Sequence, residues 1–245
     1  LEQYCTGKRV LTYNALGYDG QPTYGGYSQQ IVVDEHFVLS IPSAIALKNA
    51  APLLCAGITL YSPLRHWQAG PGTRVAIVGL GGLGHLGVRM ARAMGCTVTV
   101  LDIDADKQAA AYALGADEFQ VSTPAALRTM TGRFDLIIST VPVALDFESH
   151  LGLLDLDGTL VTLALPAEPL KIPAAALLMN RRRVAGTRSG GLRETQDMLD
   201  FCASHAIGAE VEVIHADGID EAYRRLQAGD VRFRFVIDNS TLTDV

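Results

Sequence analysis

The stretch that most constrains this chain is residues 75–84, Val-Ala-Ile-Val-Gly-Leu-Gly-Gly-Leu-Gly. It leads from a short apolar run into a segment, 83–94, that places Leu83, Leu86, Met90 and Met94 at helical spacing and stops at Gly95. Gly79, Gly81 and Gly84 thus make a G-x-G-x-x-G pattern between a predicted strand and a predicted helix. The first glycine permits a tight turn, the second lets backbone approach a pyrophosphate, and the third lets the helix pack close to the sheet. The helix start adds unpaired N–H groups and a positive dipole end, both suited to phosphate. Gly79, Gly81, Gly82, Leu83 and Gly84 are therefore candidate dinucleotide-binding residues.

The next apolar run, Thr97–Leu101, ends in Asp102. A carboxylate there accepts hydrogen bonds from an adenosine ribose diol and repels a 2′-phosphate, which predicts NAD over NADP. Lys107 is placed to reach the same ribose. A glycine-rich turn with no ligand is the plain alternative, and a methyltransferase also combines a glycine loop with a later acid. The third glycine inside the helix favours a dinucleotide.

The surrounding pattern predicts a parallel sheet covered on both faces. Phe134–Ser139, Thr159–Leu165 (entered through an Asp157-Gly158 turn) and Val184–Thr187 read as further buried strands, with 105–114 as a helix between. Residues 31–41 read as two short strands around a polar turn, and 44–61 as helical. In the tail, 193–205 and 219–226 read as helices, with Gly229 just past the second, and Val231–Ile237 as a closing strand.

Composition narrows the function. With 49% apolar residues and 19% charged, a core forms and disorder is excluded. A net charge of −6 argues against nucleic acid, and no apolar run is long enough to span a bilayer. The four cysteines, Cys5, Cys55, Cys96 and Cys202, are far apart, so reduced thiols in a cytoplasmic protein are expected. Cys96 and Cys202 read as core. The six histidines show no ligand spacing; His85 follows the glycine loop, where a place near the cofactor is the alternative to the helix surface on which it is expected. Arg181, Arg182 and Arg183 read as a solvated edge, and no G-x-S-x-G elbow supports a hydrolase.

Several motifs in order along the chain resemble the zinc-dependent medium-chain alcohol dehydrogenases, and within them the cinnamyl-alcohol dehydrogenase (aldehyde reductase) branch. They are Gly-Gly-Tyr-Ser at 25–28, Ala-Pro-Leu-Leu-Cys-Ala-Gly-Ile-Thr at 51–59, Tyr-Ser-Pro-Leu at 61–64, the glycine loop, Thr-Val-Pro-Val at 140–143, Glu-Thr-Gln-Asp-Met-Leu-Asp-Phe-Cys at 194–202 and Arg-Phe-Arg-Phe-Val-Ile-Asp at 232–238. The resemblance implies that Cys55 is a ligand of the catalytic zinc, a soft anionic donor for a metal that polarises the substrate oxygen. It implies that Thr59 packs against the nicotinamide, that Thr140, Val141, Leu163 and Leu165 line the nicotinamide end, and that Arg234 reaches the pyrophosphate. It implies that Cys5 is one ligand of a structural zinc.

The same resemblance exposes departures. The chain begins at Leu1, and the other family zinc ligands have no counterpart in it. One thiolate holds neither zinc, so the expectation is a piece of a longer enzyme, inactive unaided. The branch also commonly has a small hydroxyl residue and NADP where Asp102 stands here. The expected fold is α/β, a doubly wound parallel Rossmann sheet with a partial GroES-like β-rich domain. Residues 1–56 would be a remnant of the catalytic domain, 57–191 the dinucleotide-binding domain and 192–245 the return to the catalytic domain. The expected function is hydride transfer between a small primary alcohol or aldehyde and NAD(P), with zinc and in a homodimer. A catalytically incomplete dinucleotide-binding module and a zinc-free reductase of the same superfamily are the alternatives.

Overall fold

Two short strands, β1 (Tyr13–Leu16) and β2 (Pro22–Tyr24), pair antiparallel ahead of the main sheet. The computed structural model describes residues 2–4, 6, 7, 10–143 and 145–242. The expected strands within 31–41 do not form. That stretch holds one 3-10 turn, Glu35–Phe37, capped by the Asp34 carboxylate, and Val32 stands fully in solvent. A β-branched run without a strand to pair with leaves its backbone groups to water, and the local turn wins.

The helix expected over 44–61 is broken. α1 (Leu47–Ala50) passes into a 3-10 turn, Ala51–Leu54, before α2 (Ala56–His66) starts afresh. Pro52 offers no N–H to an α-helical ladder, and Cys55 at the break takes φ −122° and ψ −73°.

From here strands and helices alternate: β3 (Arg74–Val78), α3 (Gly84–Ala93), β4 (Thr97–Asp102), α4 (Gln108–Ala113), β5 (Glu118–Val121), α5 (Pro124–Thr129), β6 (Phe134–Ser139), α6 (Phe147–Gly152), β7 (Leu154–Thr162), α7 (Ala174–Leu178) and β8 (Arg183–Gly186). They build a six-stranded parallel sheet in the order β5-β4-β3-β6-β7-β8. This confirms the α/β Rossmann-like fold. Along β3, Val75 and Ile77 join the core on one face, and Ala76 and Val78 the core on the other. A strand buried on both faces must be apolar throughout, which is why its sequence shows no alternation.

Four further elements follow: α8 (Leu192–Ser204), β9 (Val211–Ile214), α9 (Ile219–Gln227) and β10 (Arg234–Ile237), which pairs parallel with β9. Met198, Leu199 and Cys202 of α8 share one core with Leu60 and Leu64 of α2 and Leu86 and Met90 of α3. Opposite them, Leu127, Met130, Phe147 and Leu151 cover the second face.

Asp157 and Gly158 do not form a turn ahead of β7; the strand runs through them with a register irregularity. Asp157 takes φ 61°, its N–H donates to the Asn180 carbonyl at 2.9 Å, and its carboxylate pairs with Arg181 and Arg183. The arginine run is thus employed: Arg182 donates to the Leu154 carbonyl at 3.0 Å. No helix among the described residues is long and apolar enough to cross a membrane.

Candidate cofactor site

The chain leaves β3 for β4 on one side of the sheet and later returns to β6 on the other. The carboxyl ends of β3 and β6 therefore flank the switch point, where parallel sheets open a crevice for ligands. Both sequence-predicted groups lie there: the loop Gly79–Gly84 after β3, and Thr140 with Val141 after β6.

The loop is shaped by contact. Gly79 has φ +91°, and a Cβ on it would come within 2.6 Å of Val141. A Cβ on Gly84 would strike the Gly79 carbonyl. Thr140 donates its hydroxyl toward the Val78 and Gly79 carbonyls, at 2.9 and 3.0 Å. A Cβ on Gly81, by contrast, would meet nothing within 4 Å. Gly81 therefore presents bare backbone to open space, which is what a pyrophosphate needs.

Asp102 closes one side. It is buried, and its Oδ2 accepts from the Leu80 N–H at 2.6 Å while Oδ1 accepts from the Asp104 N–H at 3.0 Å. Lys107 pairs with the same carboxylate at 3.1 Å. The two predicted ribose-end residues are thus in contact. The bond to Leu80 ties the acid to the glycine loop itself, a link that no sequence spacing announces.

Arg234 closes the other side. Its guanidinium lies across Gly82, with Nε donating to the Gly82 carbonyl at 3.4 Å. A Cβ on Gly82 would fall 2.8 Å from the guanidinium carbon and 2.9 Å from the Phe233 carbonyl. The neighbouring Phe233 has φ 71°, a left-handed conformation that a side chain resists.

Arg234 also lines a cleft of about 350 Å³ whose other wall includes Pro52, Cys55 and Ala56, with Tyr27 and Phe235 beside them. Cys55 is exposed. Its carbonyl accepts the Thr59 hydroxyl at 2.7 Å, and the same hydroxyl lies 3.2 Å from the Arg188 carbonyl. Leu163 is half-buried against the core and donates its N–H to the Ser139 carbonyl, whereas Leu165 is 94% exposed. Cys5 lies outside the described residues. Burial pushes the Cys96 and Cys202 thiols up to about 11 and about 12, so neither ionises near neutral pH.

His85 departs from expectation: it is fully buried, not on a helix surface. Its ring stacks on Phe233, which the sequence reading left without a role, with centroids 4.5 Å apart and planes 7° from parallel. The only sequence signal for it is its place inside the first turn after the loop.

A family model described as zinc-binding dehydrogenase matches residues 82–204. The chain is 55% identical over 243 residues to "NADP-dependent alcohol dehydrogenase C" of Mycobacterium tuberculosis (strain CDC 1551 / Oshkosh), covering 99% of this chain and 70% of that protein. It belongs to the zinc-binding dehydrogenase family. This dehydrogenase is also 51% identical to "Aldehyde reductase YahK" of Escherichia coli (strain K12), covering 100% of this chain and 71% of that protein. Among solved structures, a cinnamyl alcohol dehydrogenase from Sorghum bicolor superposes with a TM-score of 0.94 at 40% identity, covering 99% of this chain and 70% of that one. A structure from Helicobacter pylori described as CAD complexed with NADP(H) gives 0.90 at 39% identity with the same coverage. The fold, glycine loop and cleft of this dehydrogenase thus belong to a family of alcohol and aldehyde dehydrogenases.

The residues present fit a dinucleotide: open backbone at Gly81, a helix N-terminus behind it and a cation at Arg234. They do not by themselves fit a zinc ion. No group of three or more His, Cys, Asp or Glu side chains able to hold a metal occurs among the described residues. A catalytic zinc site takes three protein ligands, and exposed Cys55 is a single thiol in the cleft.

Proposed function

We propose that this dehydrogenase transfers a hydride between the carbinol carbon of a small primary alcohol and the nicotinamide of NAD, releasing the hydroxyl proton and forming the aldehyde. One observation carries the reading. Arg234 touches the glycine loop at the switch point and also lines the cleft that contains exposed Cys55, so one residue joins the dinucleotide cradle to the candidate reaction cleft. In this reading Gly79, Gly81, Gly82, Leu83, Gly84 and Arg234 bind the pyrophosphate, and Asp102 with Lys107 faces the adenosine ribose. Thr59, Thr140, Val141, Leu163 and Leu165 line the nicotinamide end. The names of the sorghum and E. coli relatives support an aldehyde/alcohol pair of the cinnamyl type.

Relatives named NADP-dependent favour the phosphorylated cofactor. A buried carboxylate at the end of β4 favours the other, because a 2′-phosphate brought to it meets like charge. We infer NAD on that ground.

Cys55 is proposed as one zinc ligand and Cys5 as one ligand of a structural zinc. No step of the reaction is derived through the metal, since the described residues do not complete its shell. The domain limits at 56/57 and 191/192, a cytoplasmic setting and a homodimer through the free edge of β8 complete the reading. Exposed Leu178 and Met179 lie just ahead of that edge.

The test is alcohol-dependent reduction of NAD and NADP, aldehyde-dependent oxidation of the reduced forms, and zinc content by mass spectrometry. Measured on a form of the protein that carries the remaining zinc ligands, turnover with bound zinc, lost in Cys55→Ser, is expected. Dinucleotide binding without turnover or zinc would favour the incomplete binding module, and turnover without zinc the zinc-free reductase.

A further inference from the structure

We propose that His85 is a positioning residue for the dinucleotide, acting through Phe233 to hold Arg234 over the glycine loop. The inference rests on the reading of the loop as the cofactor site and adds to it the device that keeps the cation in place.

Phe233 is a non-glycine residue at φ 71°, a strained conformation that persists only where its surroundings impose it. The same backbone turn puts the Phe233 carbonyl and the Arg234 guanidinium against Gly82, so close that only a glycine fits. Something must hold the turn. The only ring stacked face to face on Phe233 among the described residues is that of His85, with planes 7° apart.

The His85 ring is itself fixed at both nitrogens. Its Nδ1 lies 3.2 Å from the Gly81 carbonyl, and its Nε2 lies 3.3 Å from the Glu210 N–H. The Glu210 N–H is a donor, so Nε2 accepts and the proton sits on Nδ1, which donates to Gly81. The ring therefore bridges the second glycine of the loop and the segment entering β9, while its face carries Phe233. A phenyl ring at this position keeps the stack and loses both hydrogen bonds.

In this arrangement the first helical turn after the loop and the turn before β10 are joined by one side chain. Their relative placement sets where the Arg234 guanidinium meets a pyrophosphate. Preorganising that cation means that binding need not order it.

A double-mutant cycle tests this on the intact chain. Dissociation constants for NADH and NADPH are measured by fluorescence titration for the unaltered protein, His85→Phe, Phe233→Leu and Arg234→Met, and for His85→Phe and Phe233→Leu each combined with Arg234→Met. Thermal unfolding accompanies each. His85→Phe and Phe233→Leu are each expected to weaken binding about five- to tenfold, the size of a lost hydrogen bond or two for the first and of a lost ring stack for the second. Both losses are expected to vanish once Arg234 is methionine, because a side chain that acts by placing Arg234 has nothing left to place. Unchanged binding in His85→Phe overturns the proposal. So does a loss of equal size in the Arg234→Met background, which marks a merely structural role. If His85→Phe does not fold, Phe233→Leu decides by the same cycle; if neither folds, the two rings are core and the positioning role is rejected. If the unaltered protein binds neither NADH nor NADPH, the cofactor-site reading itself has failed.

Discussion

The buried carboxylate of Asp102 accepts the N–H of Leu80 at 2.6 Å, so the acid proposed to face the ribose also holds the glycine loop. A charge-assisted bond of this kind, out of water, is stronger than a neutral one. In the proposed reading, cofactor choice and loop geometry are linked through one side chain. Lys107 at 3.1 Å balances the charge from the half-exposed side.

Asp102→Ser is expected to shift the ratio of NADPH to NADH affinity toward NADPH by about tenfold, since removing a like charge from beside a 2′-phosphate is worth about 1.4 kcal/mol. It is also expected to lower stability by about 1–3 kcal/mol through the Leu80 amide it leaves behind. Calorimetric titration and urea unfolding read the two effects separately. An unchanged affinity ratio would remove Asp102 from cofactor choice.

Alanine scanning of the loop separates folding from binding. A Cβ on Gly81 meets nothing within 4 Å, so Gly81→Ala is expected to leave the melting temperature nearly unchanged and to weaken dinucleotide binding at least about tenfold by blocking the backbone approach. A Cβ on Gly84 strikes the backbone of Gly79, so Gly84→Ala is expected to lower both. Thermal unfolding with and without NADH distinguishes them.

Burial lowers the His85 pKa to about 4, with the Gly81 carbonyl and Glu210 opposing and Arg234 and Arg89 assisting. In the unfolded chain it titrates near 6.5. Between these values the unfolded state binds the extra proton, so stability rises with pH across that window and is lost as pH falls through it. The loss is on the order of 3 kcal/mol if this group acts alone. Protonation also turns the acceptor facing the Glu210 N–H into a donor. Urea midpoints measured from pH 7 to pH 4 should fall steeply for the unaltered protein and less for His85→Phe.

Thiol accessibility gives a check on the cleft. Exposed Cys55 should react with a thiol reagent in the native protein, while buried Cys96 and Cys202, raised to about 11 and about 12, should react only on unfolding. Peptide mapping after a timed alkylation assigns each site.

Much of the fold could be read directly because it rests on local rules. β3, α3, β4 and β6 lie where an unalternated apolar run or a helical spacing puts them, within a residue or two. The loop's glycines sit at the switch point for the same reason: tight turn, close approach and helix start are properties of neighbouring residues. Reading failed where a segment's fate depended on distant partners. Residues 31–41 have strand composition but no strand to pair with among the described residues, and Asp157-Gly158 bends within a strand because Arg181, Arg183 and Asn180 meet it there.

Sequence by itself therefore determined the parallel sheet, the dinucleotide loop, the acid at the end of β4 and, through resemblance, the family. Only the tertiary structure decided that Asp102 grips Leu80, that Arg234 spans the loop and the Cys55 cleft, and that His85 lies buried under Phe233. The physical reason is range. Backbone periodicity and glycine conformations are set within a few residues, whereas a hydrogen bond or a ring stack between segments far apart in the chain exists only once packing has brought them together.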